Sequence, residues 1–185
     1  MNKIIIGLAG EIGCGKGVIA KYIIEKYNGS SFRFSTMLRD VLRRIYLPDS
    51  RENMQILSTL LRQNFGEDVL ARVISEDFAS SDKSIVMVDG IRRLADIKYL
   101  KELPEFKLVY IETDIHKRYE RILKRNENPD DSRKTFEEFQ KEREQEADRQ
   151  IKDLKKYADF IIENNGTYEQ LYARVDKIIK EADLK

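Results

Sequence analysis

Residues 4–18 read Ile4-Ile5-Ile6-Gly7-Leu8-Ala9-Gly10-Glu11-Ile12-Gly13-Cys14-Gly15-Lys16-Gly17-Val18. An apolar run leads into a glycine-rich turn. Lys16 then opens a stretch in which Ile19, Ile23 and Ile24 fall on one side of a helix. This is Gly-x4-Gly-Lys after a strand and before a helix, the setting that a phosphate-binding loop requires. Glycines let backbone N–H groups turn inward around an anion. The following helix presents its positive end, and the lysine reaches the terminal phosphates. Gly10, Gly13, Cys14, Gly15, Lys16, Gly17 and Val18 are the expected nucleotide-binding residues, with Lys16 as the catalytic charge. Cys14 reads as a small filler, because no histidine or second cysteine lies near it in sequence.

Working outward, the chain has 185 residues, enough for a single domain spanning 1–185 that needs no disulfide or metal staple. Lys plus Arg is 34 and Asp plus Glu is 33, for a net charge of +1. That balance argues against a nucleic-acid binder or a polybasic membrane binder. One cysteine and one histidine leave no structural zinc set and no histidine triad. No apolar run approaches the ~20 residues of a membrane span, and the N-terminus lacks a signal-peptide layout. The expected location is cytoplasmic, as a monomer or homodimer.

Four more apolar segments, 31–34, 84–88, 106–111 and 160–162, alternate with helical patterns. Strands alternating with helices predict βαβ units, hence an α/β fold with a mostly parallel five-stranded sheet between two helical layers. Ser35 is expected to cap a helix through Ile45, and Ser50 one that carries Ile56, Leu57, Leu60 and Leu61 on one stripe and stops at Gly66. Further helices are expected at 67–78, 92–103 and, capped by Asp114, 115–124. Thr135 with Glu138, and Thr167 with Gln170, read as capping boxes, the first opening a long charged helix towards Tyr157. The polar stretch 126–134 (NENPDDSRK) reads as a mobile linker, and the helix beyond it has so thin an apolar stripe that it reads as a lid. His116 reads as a first-turn surface residue.

Three further clusters carry chemistry. Val88-Asp89-Gly90-Ile91-Arg92-Arg93 ends the third strand, beside the phosphate loop in this topology. Asp89 is the expected magnesium ligand, directly or through water. Arg92 or Arg93 is the expected clamp on a second phosphate. Phe34-Ser35-Thr36-Met37-Leu38-Arg39 follows the second strand and carries an arginine, with Arg43 and Arg44 beyond it. Arg118, Arg121 and Arg125 fall within about 60° of each other on a helical wheel, away from Ile115, Tyr119, Ile122 and Leu123. Arg121 and Arg125 are the candidates for neutralising a phosphoryl group in transit, with Arg143 and Arg149 as possible additions or a salt-bridged surface.

These strings resemble P-loop nucleotide kinases. Gly-Lys-Gly at 15–17 is similar to the loop of adenylate kinases, although the hydroxyl that usually follows the lysine is missing at both Gly17 and Val18. Residues 89–93 resemble the Asp-Gly-Phe-Pro-Arg of adenylate kinases, which points to Arg93. They are closer to the Asp-Gly-Ile-Arg of a mainly archaeal group of kinase-like P-loop proteins, which points to Arg92, the preferred residue. Residues 34–39 resemble the adenylate kinase segment Ser-Thr-Gly-Asp-x-Leu-Arg that holds the acceptor monophosphate, shortened by two, which implies Arg39 as another phosphate ligand. Residues 157–167 are similar to the last strand and turn of dephospho-CoA kinases. The resemblance runs from about residue 3 to about residue 180. It implies a three-layer P-loop NTPase fold with strands 3 and 4 flanking strand 1, an acceptor-binding helical region at about 35–80, a helical lid at about 118–156, and ATP with Mg2+ as cofactors.

The expected activity is transfer of the γ-phosphoryl of ATP to a nucleoside or deoxynucleoside monophosphate, with a small-molecule phosphate acceptor as the partner. The alternatives are a hydroxyl kinase like dephospho-CoA kinases and a non-catalytic ATP-binding module. A hydroxyl acceptor needs a base, and the carboxylate those kinases carry after the second strand is absent from Phe34-Ser35-Thr36. No Asn-Lys-x-Asp guanine reader is present. Within 54–72, no motif reads the acceptor's base.

Overall fold

The structure, a computed structural model, describes residues 3–125, 135–142 and 146–183, with backbone alone at 51, 125, 142 and 146–149. The expected linker at 126–134 and Arg143 lie outside the described residues. The side chains of Arg125 and Arg149 do so as well.

Strands β1 (Ile4–Ala9), β2 (Ser30–Arg33), β3 (Ile85–Asp89), β4 (Phe106–Glu112) and β5 (Phe160–Glu163) form one sheet in the order β2-β3-β1-β4-β5. Every pairing is parallel, and β3 and β4 flank β1 as expected. Side chains alternate across it with the two-residue period of a strand. Ile5, Ala9, Val86, Val88, Leu108 and Tyr110 enter one core. Ile4, Ile6, Leu8, Ile85, Met87, Val109 and Ile111 enter the other. Burial on both faces explains why these strands read as continuous apolar runs. Each fully buried isoleucine or valine contributes about 1.5–3 kcal/mol.

The first core is covered by helices α2 (Phe34–Arg44), α4 (Val69–Ala79) and α5 (Leu94–Leu100), with Met54, Leu57 and Leu61 of α3 (Arg51–Phe65) packed at its edge. The second is covered by α1 (Lys16–Tyr27) and α9 (Tyr168–Asp183). Near one end of the sheet lie α6 (Ile115–Arg125), α7 (Phe136–Glu142) and α8 (Glu146–Asp153), followed by a 3-10 turn, Leu154–Tyr157. Among the described residues no helix is long and apolar enough to cross a membrane.

Several caps form as the sequence predicts. Ser50 Oγ accepts from Asn53 N–H, and Gly66 ends α3. Asp114 Oδ1 accepts from His116 and Lys117 N–H, and these bonds, Lys117 first, hold its carboxyl below the usual range. Both capping boxes are present, at Thr135/Glu138 and Thr167/Gln170.

Other expectations are corrected. Ser35 does not cap α2: Phe34, buried in the first core, turns the chain one residue earlier, so Arg33 is the cap. The helix expected over 92–103 is only α5, because Arg93 is extended and caps it, leaving Arg92 and Arg93 as a strap before it. Of the long charged helix expected from Thr135 towards Tyr157, Phe136–Glu142 and Glu146–Asp153 are helical, residues 143–145 lie outside the described residues, and a 3-10 turn replaces the expected end from Leu154; Phe139, Ile151 and Leu154 are buried. On α1, Ile24 is 43% exposed while Ile19 and Ile23 are buried; on α3, Ile56 and Leu60 are half exposed.

Candidate functional site

All five strands run the same way, so the segments after them share one rim: the loop after β1, the start of α2 after β2, residues 90–93 after β3, Thr113-Asp114 after β4 and Asn164-Asn165 after β5. Ligands of open α/β sheets bind along that rim, where neighbouring connections diverge. Here the divergence is at β1. The chain goes from β1 to the far side of β3, returns to β3 itself, and then crosses to β4 on the other flank.

The loop after β1 is fixed from outside. Cys14, buried, offers its carbonyl to Asn164 Nδ2 at 2.8 Å and to Thr113 Oγ1 at 3.0 Å. Arg118 is buried to 2% and reaches Thr113 O at 3.2 Å and Ile12 O at 3.4 Å. Its Nη2 pairs with Glu11 Oε2 at 3.2 Å, and its guanidinium lies over the Phe139 ring. Arg121 donates to Asn164 O at 3.0 Å and, at 3.4–3.5 Å, to Gly13 O and Cys14 O. Arg118 is therefore a buried brace of the loop and not part of an exposed basic face, while Arg121 sits beside the loop. Burial, with help from the Glu11 carboxylate, pushes the Tyr110 phenol up to about 12 and keeps it protonated.

The interior of the loop is a cradle for an anion. Gly15 has φ +109 and a Cβ there would lie 2.3 Å from Asn164 Nδ2, whereas a Cβ on Gly17 would meet nothing within 4 Å. α1 opens at Lys16, so the N–H groups of Lys16 and Gly17 lack helical acceptors and carry the positive end of the helix, while Val18 N–H bonds Gly15 O. Lys16 Nζ bends back across the mouth to Gly10 O at 2.6 Å and Glu11 O at 3.3 Å. These donors fit a nucleotide's phosphates. Val18 packs against the second core and Gly17 has no side chain, so neither supplies oxygen to a metal.

Asp89 ends β3 in register with Leu8, next to the loop. Its Oδ1 accepts Gly90 N–H at 2.7 Å, and its Oδ2 lies 3.4 Å from Arg33 Nε, a neighbour the sequence reading missed. It is a carboxylate of the type that holds magnesium through water and phosphate oxygens. Arg93 Nη1 is 3.6 Å from Glu67 Oε2, whereas the exposed Arg92 guanidinium meets no acceptor among the described residues. Arg39 is engaged by Asp49 at 2.9 Å, and Arg43 reaches the same oxygen at 3.3 Å. The Arg39 hydrogen bond holds the Asp49 carboxyl below the usual range. Asp40 lies on the exposed side of α2, 3.7 Å from Arg43.

Comparison with known proteins agrees with this geometry. The model of the AAA domain matches residues 9–140. A UPF0200 protein of Hyperthermus butylicus is 28% identical over 178 residues, 96% of this chain and 94% of that protein. One from Methanothermobacter thermautotrophicus is 26% identical over 182 residues, 98% and 92%. Among solved structures, TT1252 from Thermus thermophilus superposes with a TM-score of 0.61 at 17% identity, covering 98% of each chain. Shikimate kinase from Bacteroides thetaiotaomicron gives 0.59 at 16% identity, covering 97% of this chain and 98% of that one. The fold is that of P-loop kinases.

Proposed function

Because the chain belongs to the AAA-domain family and has a P-loop kinase-like fold, we propose that it is an ATP-dependent phosphotransferase acting on a nucleoside or deoxynucleoside monophosphate. The observation that carries this reading is the two-sided charge of the rim. One glycine cradle with Lys16 suits the phosphates of ATP, and Arg39 and Arg92, on elements at the β2–β3 side, suit a second phosphate group. Arginine is suited to phosphate because its fork donates two parallel hydrogen bonds.

An acceptor that is already a phosphate anion needs no base. That matches a β2 end followed by Phe34 and flanked by Arg33, with Asp40 turned to the surface. Magnesium bound with ATP offsets charge on the phosphate oxygens, and Asp89 is the residue proposed to hold it. Arg121 and Arg125 are proposed to meet the charge that builds on the transferring group. The test is ADP release with ATP and magnesium across a panel of ribo- and deoxyribonucleoside monophosphates, dephospho-CoA and water alone. Stimulation by a monophosphate is the expected result. Stimulation by dephospho-CoA alone makes it a hydroxyl kinase, and no stimulation leaves a binding module.

Two variants probe the charged residues. Asp89→Asn keeps an oxygen for the Gly90 N–H but loses the charge, and is expected to cut turnover about tenfold to a hundredfold and to raise the magnesium concentration needed. An unchanged magnesium profile would move the metal elsewhere. Asp49→Asn removes the carboxylate that competes for Arg39, an exposed pair of modest strength, and is expected to lower the acceptor KM about two- to fivefold without changing the KM for ATP. A raised acceptor KM would mean that Asp49 holds Arg39 in its working pose.

A further inference from the structure

We propose that Asp96, held by Arg62, is a positioning residue that fixes the strap at 90–93 and so sets the direction of Arg92. This deepens the phosphotransferase reading and rests on it. Asp96 and Arg62 form a buried ion pair, with Nη2 and Oδ1 2.6 Å apart and side chains 4% and 2% exposed. The other oxygen, Asp96 Oδ2, accepts the N–H groups of both Arg92 (3.2 Å) and Arg93 (3.1 Å). Arg62 Nη1 also donates to Glu67 O, in the turn that joins α3 to α4. One buried pair thus ties the helices on the acceptor side to the strap that carries the candidate clamp.

The strap has little freedom left. Gly90, at φ +89, turns the chain off β3, and Ile91 is buried to 2%. Only Arg92 and Arg93 separate that anchor from α5, and both of their N–H groups converge on one carboxylate oxygen. The Arg93 side chain is taken by Glu67, and the Arg92 side chain is left outward.

Stability alone does not explain the pair. Desolvating two charges offsets most of their attraction, and an apolar pair of similar volume is commonly as stable. Arg62 Nε is buried and finds no acceptor among the described residues, which adds to the cost of keeping the arginine there. What the pair supplies is a charged oxygen that holds two main-chain donors in one geometry, which an apolar pair cannot do.

The test is the apolar double variant Arg62→Met with Asp96→Leu, compared with the wild type in monophosphate-dependent ADP release and in thermal melting. It is expected to melt within a few degrees of wild type, to raise the acceptor KM about tenfold or more, and to leave the KM for ATP and kcat within about twofold. Adding Arg92→Ala to the double variant is then expected to cost under about threefold, although Arg92→Ala alone costs about tenfold, since residues acting through one another are non-additive. Should the double variant fail to fold, Arg62→Lys, which keeps the charge but not the fork, is expected to raise the acceptor KM severalfold in a folded protein. A folded variant with a wild-type acceptor KM, or full additivity with Arg92→Ala, overturns the inference and leaves the phosphotransferase reading standing. A wild-type protein that responds to no monophosphate overturns that reading and the inference with it.

Discussion

Lys16→Ala is expected to lower phosphoryl transfer about a hundredfold to a thousandfold, the usual cost of removing one charge aimed at a transition state. Lys16 Nζ rests on Gly10 O and Glu11 O, and on the proposed reading it exchanges these carbonyl oxygens for phosphate oxygens. The fold should not suffer. Losing the hydrogen bonds to two carbonyls costs about 1 kcal/mol each, and removing a positive charge from a helix N-terminus returns about 0.3–1 kcal/mol. In a chain of this size the net effect is a melting shift of no more than about 7 °C. Melting and ADP release measured on the same preparation separate the two effects. Turnover within threefold of wild type would mean that the loop holds no reacting phosphate; a shift beyond 10 °C would mean that the lysine is structural.

Local features were legible in the sequence, and long-range ones were not. The loop, the lysine and the helix after it are adjacent, and their glycine spacing is itself the conformational requirement. The strands were legible as short apolar runs, because burial on both faces leaves no polar residue to interrupt them, whereas their order came from the resemblance to P-loop kinases. By contrast, a helical wheel groups Arg118 with Arg121 and Arg125, yet Arg118 is buried because Phe139, on a different helix, covers it. Asn164 holds a carbonyl 150 residues away, and Arg62 meets Asp96 across 34 residues. No periodicity signals such pairs. The one hint was compositional: Asn164 follows the last strand, and Asp96 stands at a helix start, where a short polar side chain accepts main-chain N–H groups. Arg33, beside Asp89, was passed over because it reads as the polar end of a strand.

Gly10→Ala is expected to abolish ATP binding and to weaken the fold, and it tests the loop independently of any charge. Gly10 sits at φ +143, which an alanine rarely adopts, and its Cβ would fall 2.5 Å from Ile111 O and 2.8 Å from Cys14 Sγ. Ile111 cannot retreat. Its strand, β4, is paired with β1 on one side and β5 on the other, and Ile111 is in register with Ile162. The loop must move instead, and Cys14 moves with it, which breaks the bonds its carbonyl takes from Asn164 and Thr113. A strained backbone at about 1–2 kcal/mol and two lost hydrogen bonds at about 1 kcal/mol each give a melting point lower by about 6–16 °C. With the cradle displaced, thermal stabilisation by an unreactive ATP analogue should vanish, although Lys16 and every arginine are still present. Gly17→Ala is the matched control: it is not at positive φ, its Cβ meets nothing within 4 Å, and it is expected to keep the wild-type melting point. If Gly10→Ala still gains stability from the analogue as wild type does, then the nucleotide does not bind in this loop, and the rim must hold it elsewhere.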